Sequence, residues 1–147
     1  KLGKDYKQLE LENQSGVIPL FNPRVKLQKD NVYLIGDAAT LNKATSGGGI
    51  NQALKASMIL SDCIDKKKNY DSEWKKEFYL NLWLHLVLHK MMQKFKEEDW
   101  NQLIRTFNEP KMKKILHDES RDKIVSMMLK IFIKKPSLIK YLKYFSF

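Results

Sequence analysis

Apolar and polar positions change their rhythm several times along the chain. Residues 6–12 partly alternate, with Leu9 and Leu11 on one face, which predicts a short strand. Gln14-Ser15-Gly16 is turn material. Val17-Ile18-Pro19-Leu20 is short and extended, because Pro19 biases Ile18 away from the helical region. Asn22-Pro23 marks a further turn, and the polar residues 25–30 predict a loop or short edge strand. Val32 to Ile35 is continuously apolar apart from the Tyr33 hydroxyl, the pattern of a parallel strand buried on both faces. Residues 36–49 show no periodicity and read as a loop. From Ile50 to Ile64 the apolar residues, among them Leu54, Ala56, Met58 and Cys63, recur almost all the way round a helix. A helix of that kind is expected to be buried.

The charged run Asp65-Lys66-Lys67-Lys68 divides the chain into segments 1–65 and 66–147, the second mainly helical. Asp71, Ser72 and Glu73 suit a helix start, where acidic and hydroxyl groups satisfy free amides and oppose the dipole. Trp74, Phe78, Leu82 and Leu86 follow at four-residue spacing, predicting one long amphipathic helix to about Phe95. Shorter stripes follow: Trp100 to Phe107, Met112 to Leu116, residues 121–134, and Leu138 to Phe145 after the break at Pro136. The aromatic stripe through Trp74, Phe78 and Trp83 fits core packing, or the border of a tunnel for an apolar ligand. The expected class is α/β, with a small β remnant ahead of a helical region.

Composition narrows the function classes. A chain of 147 residues with 43% hydrophobic residues can build its own core. Its net charge of +10 fits either an anionic partner or a lysine-rich solvated surface. Residues 111–147 hold ten Lys or Arg against three Asp or Glu, with Tyr141, Tyr144, Phe145 and Phe147 close by. That tail suits peripheral attachment to an anionic membrane, or a solvated helix face. No nucleic-acid-binding motif accompanies the charge. No apolar run approaches the roughly 20 residues that span a bilayer, and no signal-peptide pattern is present, so a cytoplasmic or membrane-peripheral protein is expected. The single Cys63 lies in an apolar helical run and reads as a buried thiol. His85 and His89 share one helix face, yet no third ligand accompanies them and no metal is expected. The opening Lys1-Leu2-Gly3-Lys4 lacks an initiator Met, so a fragment or one chain of a complex is expected.

The densest chemistry lies at Gly36-Asp37-Ala38-Ala39 and Thr45-Ser46-Gly47-Gly48-Gly49-Ile50-Asn51. Gly36 permits unusual dihedrals. Asp37 offers acceptors to a sugar or ribityl hydroxyl, and Ala38 leaves room for a ligand. Gly47, Gly48 and Gly49 run into a helix whose first amides are unpaired and attract an anion or electron-rich group. The candidate cofactor-binding residues are therefore Gly36, Asp37, Ala38, Gly47, Gly48, Gly49, Ile50 and Asn51.

At this spacing the two segments resemble the second FAD-binding motif of aromatic-hydroxylase-type flavoproteins. Among these the chain is most similar to the geranylgeranyl reductase family, which includes archaeal enzymes that saturate the prenyl chains of membrane lipids. Gly16-Val17-Ile18-Pro19 and Lys135-Pro136-Ser137-Leu138 resemble family segments as well. Thr40 stands where the family usually has Gly, and Ala44 where it usually has Pro. The dinucleotide fingerprint Gly-x-Gly-x-x-Gly is absent from the chain. The resemblance implies the C-terminal part of a Rossmann-type FAD-dependent oxidoreductase, with the pyrophosphate-gripping segment missing. It implies that Asp37 accepts a hydrogen bond from the ribityl chain and that the Gly47–Gly49 amides face the pyrimidine edge of the ring. A prenyl lipid substrate and an external electron donor are implied, and no catalytic residue is assigned. A flavin monooxygenase or halogenase shares the motif, and a non-catalytic helical membrane- or partner-binding module is the reading outside enzymes.

Overall fold

A computed structural model of the chain describes residues 16–119 and 124–145. The strand expected over residues 6–12 lies outside them. The described residues are mainly helical, with a single two-stranded sheet.

That sheet differs from the expectation. β1 (Gln28–Lys29) pairs antiparallel with β2 (Val32–Tyr33), with Lys29 opposite Val32 and Gln28 opposite Tyr33. The chain reverses through Asp30 at φ 52°, and the Leu34 N–H extends the pairing to the Leu27 carbonyl at 2.8 Å. The apolar run 32–35 is thus one arm of a tight hairpin, not a parallel strand buried on both faces. Val32 is 65% exposed, while Leu27, in the polar-looking stretch before it, is 1% exposed and belongs to the core.

A 3-10 turn, Gly36–Ala39, follows, and a loop leads to α1 (Ile50–Asp65). The Lys68 N–H bonds the Cys63 carbonyl at 2.8 Å and Lys67 takes φ 52°, turning the chain out of α1. α2 (Tyr70–Trp74) is capped by Asn69, whose side chain accepts the Ser72 N–H at 2.9 Å. Asp71 does not cap it: its carboxylate takes the Leu27 N–H at 2.7 Å, tying the hairpin to α2. A π-helical turn, Lys75–Tyr79, joins α2 to α3 (Leu80–Met92), so the long stripe of the sequence is one rod with a wider turn inside it. α4 (Glu97–Phe107), α5 (Pro110–Asp118) and α6 (Ile124–Lys134) follow, and Pro136–Tyr144 closes the described chain as a 3-10 segment.

Two apolar clusters hold these elements. The first joins Phe21, Leu27, Leu41, Ala56 and Cys63 to Tyr70, Trp74, Phe78 and Leu82, so segments on both sides of residue 65 share it. The second lies between α3, α5, α6 and the final 3-10 segment, around Val87, Met91, Met112, Ile131, Leu138 and Tyr141. Trp74 and Phe78 are core residues, 1% and 5% exposed. Burial pushes the Cys63 thiol upward, as expected for a packed sulfur. Burial also pushes the Tyr70 hydroxyl, which donates to the Leu34 carbonyl at 3.3 Å, up to about 12.

α1 is not buried all round. Ile50, Leu54, Met58 and Ile64 are 79%, 62%, 71% and 57% exposed, whereas Gln52, Ala56 and Cys63 face the first cluster or its edge. Ala56 and Cys63 pack inward, with Ile59 and Leu60 partly buried against the same cluster, while Ile50, Leu54, Met58 and Ile64 line the outer face. No helix among the described residues is long and apolar enough to cross a membrane.

Candidate functional site

The glycine-rich loop is held from beneath by its own backbone. The Leu41 N–H donates to the Gly36 carbonyl at 3.0 Å and the Thr40 N–H to the Asp37 carbonyl at 2.9 Å, closing the 3-10 turn. The Lys43 N–H reaches the Gly48 carbonyl at 3.0 Å, and the Ser46 and Gly47 N–H groups return to the Lys43 carbonyl at 3.0 and 2.8 Å. Residues 43–48 are thereby a closed turn delivering Gly49 to the start of α1. The Ala53 N–H bonds the Gly49 carbonyl at 2.8 Å, and no side chain caps the amides of the first turn.

The glycines have separable reasons. Gly36 and Gly47 take φ 61° and 68°, which L side chains adopt only with strain. A Cβ on Gly49 would meet Asn42 Oδ1 at 1.9 Å. Asn42 is itself 2% exposed and donates through Nδ2 to the Pro19 carbonyl at 3.3 Å, so it has little freedom to yield. Gly48 has neither constraint: its φ is not positive, and an added Cβ would find Ser46 Oγ at 3.4 Å as its closest neighbour. The fold itself demands Gly36, Gly47 and Gly49. Gly48 is exposed at the surface of the loop, and neither demand falls on it.

The structure brings Asp37 beside Gly49 at the start of α1. Asp37 Oδ1 lies 3.5 Å from the position of a Gly49 Cβ, which places its carboxylate beside the start of α1. Asp37, Ala38, Gly48, Ile50 and Asn51 are exposed there, and Gly36, Gly47 and Gly49 are half-buried beneath them. A carboxylate acceptor, a bare backbone and unpaired helix amides thus share one open surface. Gln52, in the first turn of α1, is 4% exposed, and its Oε1 finds no hydrogen-bond partner among the described residues. It is a further polar group buried at this end of the helix.

Thr40 answers the departure noted in the sequence. It sits in the left-handed region at φ 54° and ψ 29°, where glycine is the unstrained residue. Its hydroxyl accepts the Asn22 N–H at 3.0 Å, a bond glycine lacks, and so ties the Asn22-Pro23 turn to the loop.

His85 was not legible as part of this region. From α3, 5% exposed, its Nδ1 meets Thr45 Oγ1 at 2.7 Å, anchoring the glycine-rich loop to the helix behind it. His89, one turn on, meets Gln93 Nε2 through its own Nε2 at 3.1 Å. The two histidines serve different neighbours, and among the described residues no three His, Cys, Asp or Glu gather as metal ligands.

The chain is 28% identical over 144 residues to the digeranylgeranylglycerophospholipid reductase of Methanocaldococcus jannaschii, covering 90% of the chain and 35% of the relative. It is 31% identical over 144 residues to the reductase of that name from Methanococcus aeolicus, again covering 90% and 35%. For the Methanococcus vannielii reductase the figures are 29% over 152 residues, 96% of the chain and 37% of the relative. No family model matches the chain, and no solved structure matches it. The chain spans about a third of the length of these curated relatives. Across nine tenths of its length, therefore, the chain is similar to about a third of the length of the digeranylgeranylglycerophospholipid reductases.

Proposed function

We propose that this chain is the C-terminal part of an FAD-dependent oxidoreductase that saturates C=C bonds of geranylgeranyl chains in archaeal membrane lipid synthesis. One observation carries the reading: the Asp37 carboxylate and the exposed Gly48 backbone stand together at the uncapped start of a sixteen-residue helix. The names of the homologues supply the lipid substrate class.

The residues fit a flavin. Asp37 accepts a hydrogen bond from the ribityl chain. Gly48, with no side chain and no internal need to lack one, lets the ring edge approach the backbone. The Gly47 N–H, expected to face the ring, is spent on the Lys43 carbonyl; the amides of Gly49, Ile50 and Asn51 would instead hold the pyrimidine edge, where the helix dipole would stabilise negative charge. Thr40 and His85 act indirectly, the first by fixing the turn after Asp37 and the second by holding Thr45. A bound flavin supplies the hydride for C=C saturation. The exposed apolar face of α1, with Leu54 and Met58, packs against the remaining two thirds of the protein, which grips the adenosine and pyrophosphate. The protein works in the cytoplasm, peripheral to the membrane.

The test is anaerobic incubation of the complete, chemically reduced protein with a digeranylgeranyl glycerophospholipid, followed by mass spectrometry. Saturation, seen as added hydrogen at the prenyl chains, is the expected result. Oxygen-dependent hydroxylation or halogenation, without saturation, would replace this reading with a monooxygenase or halogenase.

A further inference from the structure

Gln52 carries a polar group that the fold leaves unmet. The residue is 4% exposed, and its Oε1 has no hydrogen-bond partner. A buried acceptor without a donor destabilises a fold, so it calls for a reason. Gln52 follows Ile50 and Asn51 in the first turn of α1, and Gly49 is the N-cap. From that position a glutamine side chain leans back along the helix and can accept the N-cap amide, as in a capping box. It does not do so: no side chain caps this helix. Ala53 Cβ lies 3.5 Å from the position of a Gly36 Cβ, so the first turn of α1 packs on the turn that carries Asp37.

One helical turn therefore holds two complementary deficits. Its amide donors lack a capping acceptor, and a side-chain oxygen lacks a donor. A carboxylate or phosphate meets only the first, because at neutral pH it presents acceptors to the amides and nothing to Gln52 Oε1. An imide edge, which sets an N–H between two carbonyls, meets both. Its carbonyl accepts from the helix amides, and its N–H donates to the glutamine oxygen.

We propose that Gln52 is a ligand-reading residue, whose Oε1 accepts the N–H of an imide ring edge seated at the start of α1. The proposal rests on the flavin reading, in which this edge is the pyrimidine edge of the isoalloxazine and the donor is its N3–H. Rotation of the flexible Gln52 side chain brings Oε1 out to the helix end. That rotation forfeits no hydrogen bond at Oε1, since the buried position supplies none. Gln52 thus stores in the ligand-free fold an acceptor that the ring edge satisfies, and it selects against a ring substituted at that nitrogen.

The experiment is titration of the complete, flavin-stripped protein with FAD and with 3-methyl-FAD, whose ring lacks the N3 proton, followed by flavin fluorescence. The parent is expected to bind FAD more tightly by about tenfold, the worth of one buried hydrogen bond. Gln52→Leu, similar in size and without the oxygen, is expected to weaken FAD by about tenfold and to bind the two flavins equally. Free of ligand, it is expected to melt no lower than the parent, because an unmet buried oxygen is gone. Gln52→Glu keeps an acceptor and is expected to restore the preference for FAD. Equal binding of the two flavins by the parent, or a preference retained in Gln52→Leu, overturns the proposal and leaves the flavin reading standing. A ligand-free Gln52→Leu that melts well below the parent also overturns it, since Oε1 then serves an internal partner such as a trapped water. A parent that binds neither flavin overturns both readings.

Discussion

Gly49→Ala is the substitution that best separates what the fold demands of the loop from what a ligand demands. At a helix N-cap, exchanging glycine for alanine costs up to about 1 kcal/mol where space allows. Here the new methyl would stand 1.9 Å from Asn42 Oδ1 and 3.1 Å from its Cγ. Asn42 must then leave its position, giving up its bond to the Pro19 carbonyl in a site where it is 2% exposed. Losing a buried partner costs about 1–3 kcal/mol, and overpacking about 1–3 kcal/mol more. The total of about 2–7 kcal/mol is a large share of the ordinary stability of a domain. Gly48→Ala, whose methyl meets nothing closer than 3.4 Å, should leave stability unchanged to within about 1 kcal/mol. Urea unfolding followed by circular dichroism reads both variants. Adding Asn42→Ala to Gly49→Ala should recover about 1–3 kcal/mol relative to the sum of the single changes, because the obstructing amide is gone. If Gly49→Ala costs less than about 1 kcal/mol, or Asn42→Ala brings no recovery, the steric reasoning fails. A strongly destabilised Gly48→Ala would show that this glycine also serves the fold, removing the basis for assigning it to a ligand.

Thr40→Gly should be more stable than Thr40→Ala by about 1 kcal/mol in the same assay, since both lose the Asn22 bond and only glycine is unstrained in the left-handed region. The Tyr144 hydroxyl, donating to Asp99 Oδ2 at 2.5 Å, holds that carboxyl below its ordinary range. A lowered folded value means that its stabilisation is complete above the unfolded value and is lost as pH falls through the folded one. Tyr144→Phe should therefore raise the Asp99 titration midpoint seen by carboxyl NMR and move acid unfolding to higher pH, and an unmoved midpoint would discount the contact. Cys63, 3% exposed and raised by burial, should react with a thiol reagent only as the chain unfolds, and rapid labelling of the folded chain would contradict its packing.

The helices were legible because each carries its period in one short window. Leu82, Met112, Ile131 and Leu138 are buried where their stripes place them. Orientation was harder. An apolar run such as Val32 to Ile35 does not by itself distinguish a buried parallel strand from the arm of a hairpin, and the turn at Asp30 settled the matter. In α1 the small Ala56 and Cys63 pack inward while Leu54 and Met58 face outward, an inversion that residue type alone does not announce. The turns of the candidate site were readable because glycines at positive φ, short side chains and a helix start all leave local marks. Its supports were not. Asn42 reaches Pro19 across 23 positions, and Thr45 reaches His85 across 40, so no local pattern contains them. The same distance hid the bond from Leu27 to Asp71, and with it the reason that Asn69 caps α2.

The flavin content of the complete protein carrying Asp37→Ala tests the central claim most directly. Asp37 is exposed, and its carboxylate beside the start of α1 is assigned to the ribityl chain. Measured by absorbance after purification and by titration of the stripped protein with FAD, the variant should keep its fold and retain less flavin, with affinity lower by about tenfold, the equivalent of one charge-assisted hydrogen bond of about 1.5 kcal/mol. Full flavin occupancy with unchanged affinity and reduction potential would contradict the assignment of this loop to the cofactor.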